Sequence, residues 1–217
     1  MCGKKVVLAS NNAGKLRELQ ALLSETDLEC SSQAEFRVPE IPETGLTFVE
    51  NALIKARNAC RYSHLPSIAD DSGLEVDCLH GAPGVQSARF AGEKATDSDN
   101  LKKLLQAVRE YSAENRTARF RCAMVYLRSE SDPSPLISLG TWEGHISMTE
   151  RGEQGFGYDP VFLVLGLERT SAELEPREKN RLSHRGQALR KLIEQLRLEE
   201  YPLRQQNMDH VSSGQVL

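Results

Sequence analysis

No apolar run in the 217-residue chain approaches membrane-spanning length, so no transmembrane helix is expected. Met1-Cys2-Gly3-Lys4-Lys5 leads straight towards a strand-like stretch, with no hydrophobic signal region before it. The five cysteines, at 2, 30, 60, 78 and 122, are odd in number, widely spaced and without a CxxC pair. That pattern argues against a disulfide framework and against a zinc site, and reads as reduced thiols in a cytoplasmic protein. Positive charge is in short supply: 27 Lys and Arg face 31 Asp and Glu, a formal net charge of -4. That balance argues against a broad nucleic-acid or membrane surface, so any phosphate recognition must be local. No internal repeat is visible. The length suits one large domain or two intimately packed lobes with a sizeable core.

Against that plain background one stretch stands out, Ser67-Ile68-Ala69-Asp70-Asp71-Ser72-Gly73. Two adjacent carboxylates follow a short apolar run and precede what reads as a turn. Successive strand side chains point to opposite faces, so one aspartate can look into a cleft while its neighbour is turned away. Carboxylates at the end of a buried strand need a partner, and a hard oxygen-loving cation is one solution. A helix cap or an Asx turn would also account for the pair, and this stretch alone leaves both open.

The chain opens with Val6-Val7-Leu8-Ala9, an apolar run suited to a strand buried on both faces of an α/β sheet. The polar loop Ser10-Asn11-Asn12-Ala13-Gly14-Lys15 follows, then Leu16, Leu19, Leu22 and Leu23 at helical spacing. Backbone N-H groups and a helix N-terminus at such a turn make a phosphate site, to which Lys15 adds a charge. The GxxxxGK[ST] spacing is absent, so this is no P-loop, and a connecting loop with a solvated lysine is the plainer alternative. Thr47-Phe48-Val49-Glu50 is a capping box opening a helix to about His64, on which Asn51 and Lys55 share a face. Glu50 is explained by the cap, whereas Glu43 is a freer carboxylate and the better metal candidate.

Leu74, Val76 and Cys78 alternate with acids as in a half-exposed strand, and Gly81-Ala82-Pro83-Gly84 reverses the chain. Thr96-Asp97-Ser98-Asp99 offers N-caps for a helix with Leu101, Leu104, Leu105 and Val108 inward. A hairpin is expected from Arg119 to Ile146, with Arg119 and Arg121 on an exposed edge. In Gly155-Phe156-Gly157 the glycines let the backbone approach a ligand, and the ring can stack on a planar base. Ser183 caps a final helix whose first turn carries His184 and Arg185, a placement that opposes the helix dipole unless an acceptor is brought to them. Beyond Glu199 the periodicity fades, and a flexible tail is expected.

Taken together, Ser-Asn-Asn-Ala-Gly-Lys (10–15), Thr-Gly-Leu-Thr-Phe-Val-Glu-Asn-Ala (44–52), Ala-Asp-Asp-Ser-Gly-Leu (69–74), Gly-Ala-Pro-Gly (81–84), Gly-Phe-Gly-Tyr-Asp-Pro (155–160) and Ser-His-Arg-Gly (183–186) resemble the inosine triphosphate pyrophosphatase family, closest to its bacterial dITP/XTP pyrophosphatases. The resemblance implies an α/β fold with a mixed, elongated, twisted sheet, flanking helices, and two lobes around a central cleft. It makes residues 1–198 a single nucleotide pyrophosphatase domain and 199–217 a polar tail, in a homodimer. It also implies Mg2+-dependent hydrolysis of ITP, dITP and XTP to the monophosphate and pyrophosphate, with no nucleic-acid or membrane partner. Carried onto matching positions, Asp71 is general base and metal ligand, Glu43 the second metal carboxylate, and Ser72 a substrate contact. Ser10, Asn11, Asn12, Ala13, Gly14, Lys15 and Lys55 hold phosphates; Phe156, Gly157, Tyr158, Asp159, Lys179, His184 and Arg185 line the base and sugar side. A nucleotide sensor that binds without cleaving is the rival from another class, and a related hydrolase of pyrimidine or methylated nucleotides is the nearer one.

Overall fold

A computed structural model describes residues 4–24 and 26–212. The apolar run at the start forms β1 (Lys4–Leu8), with Val6, Val7 and Leu8 wholly buried as a strand covered on both faces requires. Parallel to it lie β2 (Leu28–Ser32) on one side and β3 (Ser67–Val76) on the other. Then β4 (Thr117–Leu127), β5 (Leu136–Ile146) and β6 (Phe162–Val164) add antiparallel strands, giving a mixed sheet of order β2-β1-β3-β4-β5-β6.

Helices cover the first half of this sheet on both faces. Leu19 and Leu23 of α1 (Ala13–Leu23) and Leu189, Leu192 and Leu196 of α5 (His184–Ser212) pack with Val6, Leu8 and Ile68. On the opposite face Ala52, Ala56 and Ala59 of α2 (Phe48–Ser63) meet Val7, Ala69 and Val125, the small side chains letting that helix lie close. Farther along, Leu74, Phe120 and Trp142 gather Leu101, Leu104 and Val108 of α3 (Asp97–Val108) together with Phe162. These are two lobes built on one sheet. The expected capping box forms at Thr47 with Glu50, and of the N-caps offered at 96–99 it is Thr96 that caps α3, boxed with Asp99. No helix among the described residues is long and apolar enough to cross a membrane.

β1 reaches β3 only through Val7 and Leu8, so beyond Ile68 one edge of β3 is left free by its parallel neighbour. That free edge lies outside the carboxyl end of a parallel strand, the place where open α/β sheets bind ligands.

The structure departs from the sequence expectations in three places. Asp70-Asp71-Ser72-Gly73 does not precede a turn but lies inside the single ten-residue strand β3. Gly73 serves close approach instead: a Cβ there would stand 2.3 Å from the Gly84 carbonyl oxygen. Arg119 and Arg121 are not at an edge, because β4 runs between β3 and β5; they cross an uncovered stretch of sheet and pair with Glu75, Asp77 and Glu143. A short helix unforeseen in the sequence, α4 (Pro176–Leu182), starts on a proline at its first position and carries Lys179. The backbone of α5 runs on to Ser212, and residues 1–3, 25 and 213–217 lie outside the described residues.

Candidate active site

A cleft of about 590 Å³ opens along the free edge of β3, between the two lobes. Because the edge is open, consecutive side chains of β3 serve opposite sides of this one cleft. Asp70 and Asp71 are both buried, and each has found its own lysine.

Asp70 turns towards α1 and α5. Its Oδ2 lies 3.0 Å from Lys15 Nζ, 3.7 Å from Arg185 Nε and 3.2 Å from the Ser72 hydroxyl that donates to it. Burial works against its charge, but Lys15, Arg185 and Lys55 outweigh burial and bring its pKa down to about 2. It is a permanent anion tying the loop at 10–15 to the start of α5. Asp71 turns towards α2, where Lys55 Nζ is 3.0 Å from Oδ1 and Asn51 Nδ2 donates to Oδ2 at 3.3 Å. Burial, assisted by Glu43, overcomes the pull of Lys55 and Lys15, so its carboxyl is more basic than an ordinary aspartate. Two neighbouring carboxylates are thus driven in opposite directions, the pattern that separates a structural anion from a proton acceptor.

Glu43 also reaches Lys55, at 2.9 Å, from the loop before α2. Burial raises its pKa and Lys55, Lys15 and Arg89 lower it further, so the net effect is a stable carboxylate. Lys55 resists burial through Asp71, Asp70 and Glu43 and stays firmly protonated. Two hard oxygen ligands therefore converge on a single point now served by an ammonium, a donor set that fits a hard divalent cation. Among the described residues no cluster of three or more His, Cys, Asp or Glu closes around one point. A cation held by this pair would keep positions for water and phosphate oxygens, as Mg2+ does.

At the start of α1, Asn12 spends its side chain on the helix cap, accepting from Lys15 N at 3.0 Å. Asn11 donates to Glu40 and accepts from Gln33 at 2.5 Å, so its amide is held in one orientation. Ser10, Asn11, Asn12 and Lys15 face the cleft; Ala13 is exposed, and Gly14 stands behind it, where a Cβ would lie 2.6 Å from the Phe156 ring.

The other end is built by the loop 155–159 and the start of α5. Gly155 has φ +82°, and a Cβ there would collide with Asp159, so only glycine permits the bend. Asp159 is fully engaged: it accepts from Phe156 N at 2.8 Å, from the Ser171 hydroxyl at 2.8 Å and from Lys179 Nζ at 2.7 Å. It holds the loop, and Lys179 stands behind it rather than in the cleft wall. Gly157 N donates to Asp97, the first residue of α3, at 2.9 Å. The Phe156 ring lies 4.9 Å from the Arg185 guanidinium carbon and 5.3 Å from Lys179 Nζ.

His184 stacks on Phe120 with ring centroids 4.8 Å apart and planes 12° from parallel. Burial, then Arg185, Lys179 and Lys15, push its pKa well below the usual value, so the ring is neutral and does not oppose the helix dipole. Both ring nitrogens are buried without a protein partner. Arg185 has the acceptors its position demanded: Glu18 and Asp70, which overcome burial and keep it charged. Gly140 on β5 makes this placement possible, since a Cβ there would stand 2.0 Å from the His184 carbonyl oxygen.

Glu18, Asn51, Arg89 and Asp97 complete the surroundings. Asn51 was legible from its shared face with Lys55. Glu18 bridges Lys179, at 2.7 Å, and Arg185, and its only sequence signal is its place one turn after Lys15.

The profile of the Ham1 family matches residues 6–195. A Methylococcus capsulatus protein named dITP/XTP pyrophosphatase is 58% identical over 194 residues, covering 89% of this chain and 96% of that protein. Another with the same name, from Thioalkalivibrio sulfidiphilus, is 56% identical over 88% of this chain and 98% of its own length. Among solved structures, a HAM1 protein from Coxiella burnetii superposes with a TM-score of 0.82 at 50% identity, over 89% of this chain and 98% of that one. The Staphylococcus aureus Ham1 protein gives 0.79 at 38% identity, over 90% of this chain and all of that one. Every motif from the loop at 10–15 to the start of α5 lies within the matched span, and by sequence and by fold the chain belongs to the Ham1 family.

Proposed function

We propose that the chain is a nucleoside triphosphate pyrophosphatase that hydrolyses deaminated purine nucleotides (ITP, dITP and XTP) to the monophosphate and pyrophosphate. The observation that carries the reading is the divergence of Asp70 and Asp71, an anchored anion behind the wall beside a carboxylate kept basic that lines the cleft with Lys15 and Lys55. The names of the relatives give the substrate class.

Asp71 accepts the proton of the water that attacks the α-phosphorus, and its raised pKa suits that task. Lys15, Lys55 and the N-H groups at the start of α1 take up phosphate charge in a site already shaped for it. Mg2+, when held by Asp71 and Glu43, supplies further charge neutralisation and orients the reacting oxygens. Phe156 offers a face to the purine. Arg185 donates to the 6-carbonyl that hypoxanthine and xanthine carry, and neutral His184 presents unpartnered ring nitrogens beside it. An adenine amino group would leave such donors unmet, which is costly in a buried site. Ser72, Gly157 and Tyr158 complete the substrate wall, and Lys179 and Asp159 hold it in shape.

Residues 1–198 act as one domain in a cytoplasmic homodimer that clears such nucleotides before they enter DNA or RNA. The test is a panel of ITP, dITP, XTP, GTP and ATP with Mg2+, scored for pyrophosphate and orthophosphate. Pyrophosphate from the first three alone is expected. Orthophosphate would overturn the bond assignment, and binding without turnover would leave a sensor.

A further inference from the structure

Arg89 lines the cleft, yet none of the roles above uses it. It ends the 3₁₀ turn Gly84–Arg89, which is fastened to the strand that carries Asp71. Leu74 N donates to the Ser87 hydroxyl at 2.9 Å, that hydroxyl donates to Gly84 O at 2.6 Å, and Tyr158 OH donates to Ser87 O at 2.8 Å. The platform is rigid, but the guanidinium on it is poorly engaged. Nη1 is 3.6 Å from Glu43 Oε2, Nη2 is 3.5 Å from the Glu43 carbonyl oxygen, and Nε is 3.9 Å from Glu93, whose side chain is 87% exposed. None of these reaches the roughly 2.7–2.9 Å of a charge-assisted hydrogen bond.

The cleft's ion pairs fall into an order. Arg185, beside Phe156, meets Asp70, which meets Lys15; on the next side chain of β3, Asp71 meets Lys55, which meets Glu43, which meets Arg89. Arg89 closes the series that opens at the base end. Its main partner is also the carboxylate that a cation would claim, and a cation on Glu43 leaves the guanidinium with little besides exposed Glu93.

We infer that Arg89 is the cation that receives the departing pyrophosphate. The inference rests on the pyrophosphatase reading and deepens it. In the step, the water oxygen bonds to the α-phosphorus and its proton passes to Asp71. The bond from that phosphorus to the α,β-bridging oxygen breaks, and its electron pair leaves with pyrophosphate. A guanidinium presents parallel N-H donors that match two phosphate oxygens at once, which an ammonium cannot do.

The experiment is calorimetric titration of wild type, Arg89→Ala and Arg89→Lys with inorganic pyrophosphate, and separately with inosine monophosphate, all in Mg2+ buffer. Arg89→Ala should weaken pyrophosphate binding by about tenfold or more, the loss expected for a charged hydrogen bond, with monophosphate binding unchanged. Arg89→Lys should recover part of it, and it serves as the probe where the alanine variant is not recovered folded. Equal weakening of both ligands would assign Arg89 to holding the Glu43 loop, and no change in either would remove it from the site. Wild type is first assayed on ITP: failure to release pyrophosphate sinks the underlying reading, whereas release together with unaltered pyrophosphate binding by the variants sinks this inference alone.

Discussion

At the scale of the residue, two adjacent aspartates are set to different work by which side of an open strand edge they face. Asp71→Asn removes the proton acceptor, and general-base loss costs about 10²–10⁴-fold in kcat. Because burial makes the ionised Asp71 a burden on the fold, the same change should leave the thermal midpoint without metal no lower than wild type. A variant keeping more than about a tenth of wild-type kcat would show that Asp71 is not the base. Asp70→Asn should act in the other direction, on stability first. Its folded pKa of about 2 lies below the unfolded value of about 3.9, so its charge stabilises the fold above about pH 4 and that contribution is withdrawn as pH falls through 2. Urea midpoints should differ at pH 7, by a loss of about 3 kcal/mol for the variant, and converge as the pH approaches 2, where the wild-type side chain is itself a neutral near-isostere of asparagine. A gap that stays constant over that range would mean that the charge is not what matters. The sequence exposed the pair and its opposite facing but not the partners of each, since the strand's neighbours decide what each face meets. Glu18 and Arg89 were hidden for a related reason: a charged residue on a helix or turn reads as solvated until tertiary packing brings an ion to it.

At the scale of the element, long periodic segments were legible and short ones less so. The capping box at Thr47, an N-cap among 96–99, the leucine stripes of α1 and α3 and the β4–β5 hairpin all stand where pattern and turn chemistry put them. The seven residues of α4 are too few to show a period, and they are fixed by what they pack on. Gly73 misled for a physical reason, since glycine marks a turn and a close approach equally well in sequence. Gly140 was silent in the same way, although the start of α5 depends on it. Its φ is not unusual, so Gly140→Ala acts through space alone, driving a methyl group into the His184 carbonyl and the Ala188 amide. Backbone must move, at a cost of about 1–3 kcal/mol, and His184 and Arg185 move with it. We expect a lower thermal midpoint and a raised KM for ITP together with a reduced preference for ITP over ATP. A variant that is destabilised but keeps its base preference would show that the first turn of α5 can shift without disturbing recognition.

At the scale of the whole molecule, the site is an arrangement between lobes rather than a property of either. The sheet's first half brings Lys15 and Arg185 on one face and Lys55 on the other, its second half brings Tyr158, and the free edge of β3 lets both address one cleft. All of this lies within a span that ends before residue 199. The cleft wall runs from Ala9 to Arg185, the Ham1 match ends at residue 195, and among the described side chains the last core residue of α5 is Leu196. Among the described side chains Glu199 makes a 3.6 Å pair with Arg128, both more than a third exposed, a contact worth about 0–1 kcal/mol. Arg128 meanwhile keeps its two-pronged contact with Asp132, at 2.8 Å on each oxygen, which holds the β4–β5 turn without help from α5. A chain ending at Leu198 should therefore fold with a thermal midpoint within a few degrees of the full chain, since about 1 kcal/mol moves the midpoint of a domain of this size by about 2–4 °C. Its kcat/KM for ITP should stay within about twofold, because a change of that size corresponds to less than about 0.5 kcal/mol in the barrier. Loss of activity at an unchanged midpoint would give the last turns of α5 a part in the reaction that nothing in the cleft's own geometry demands.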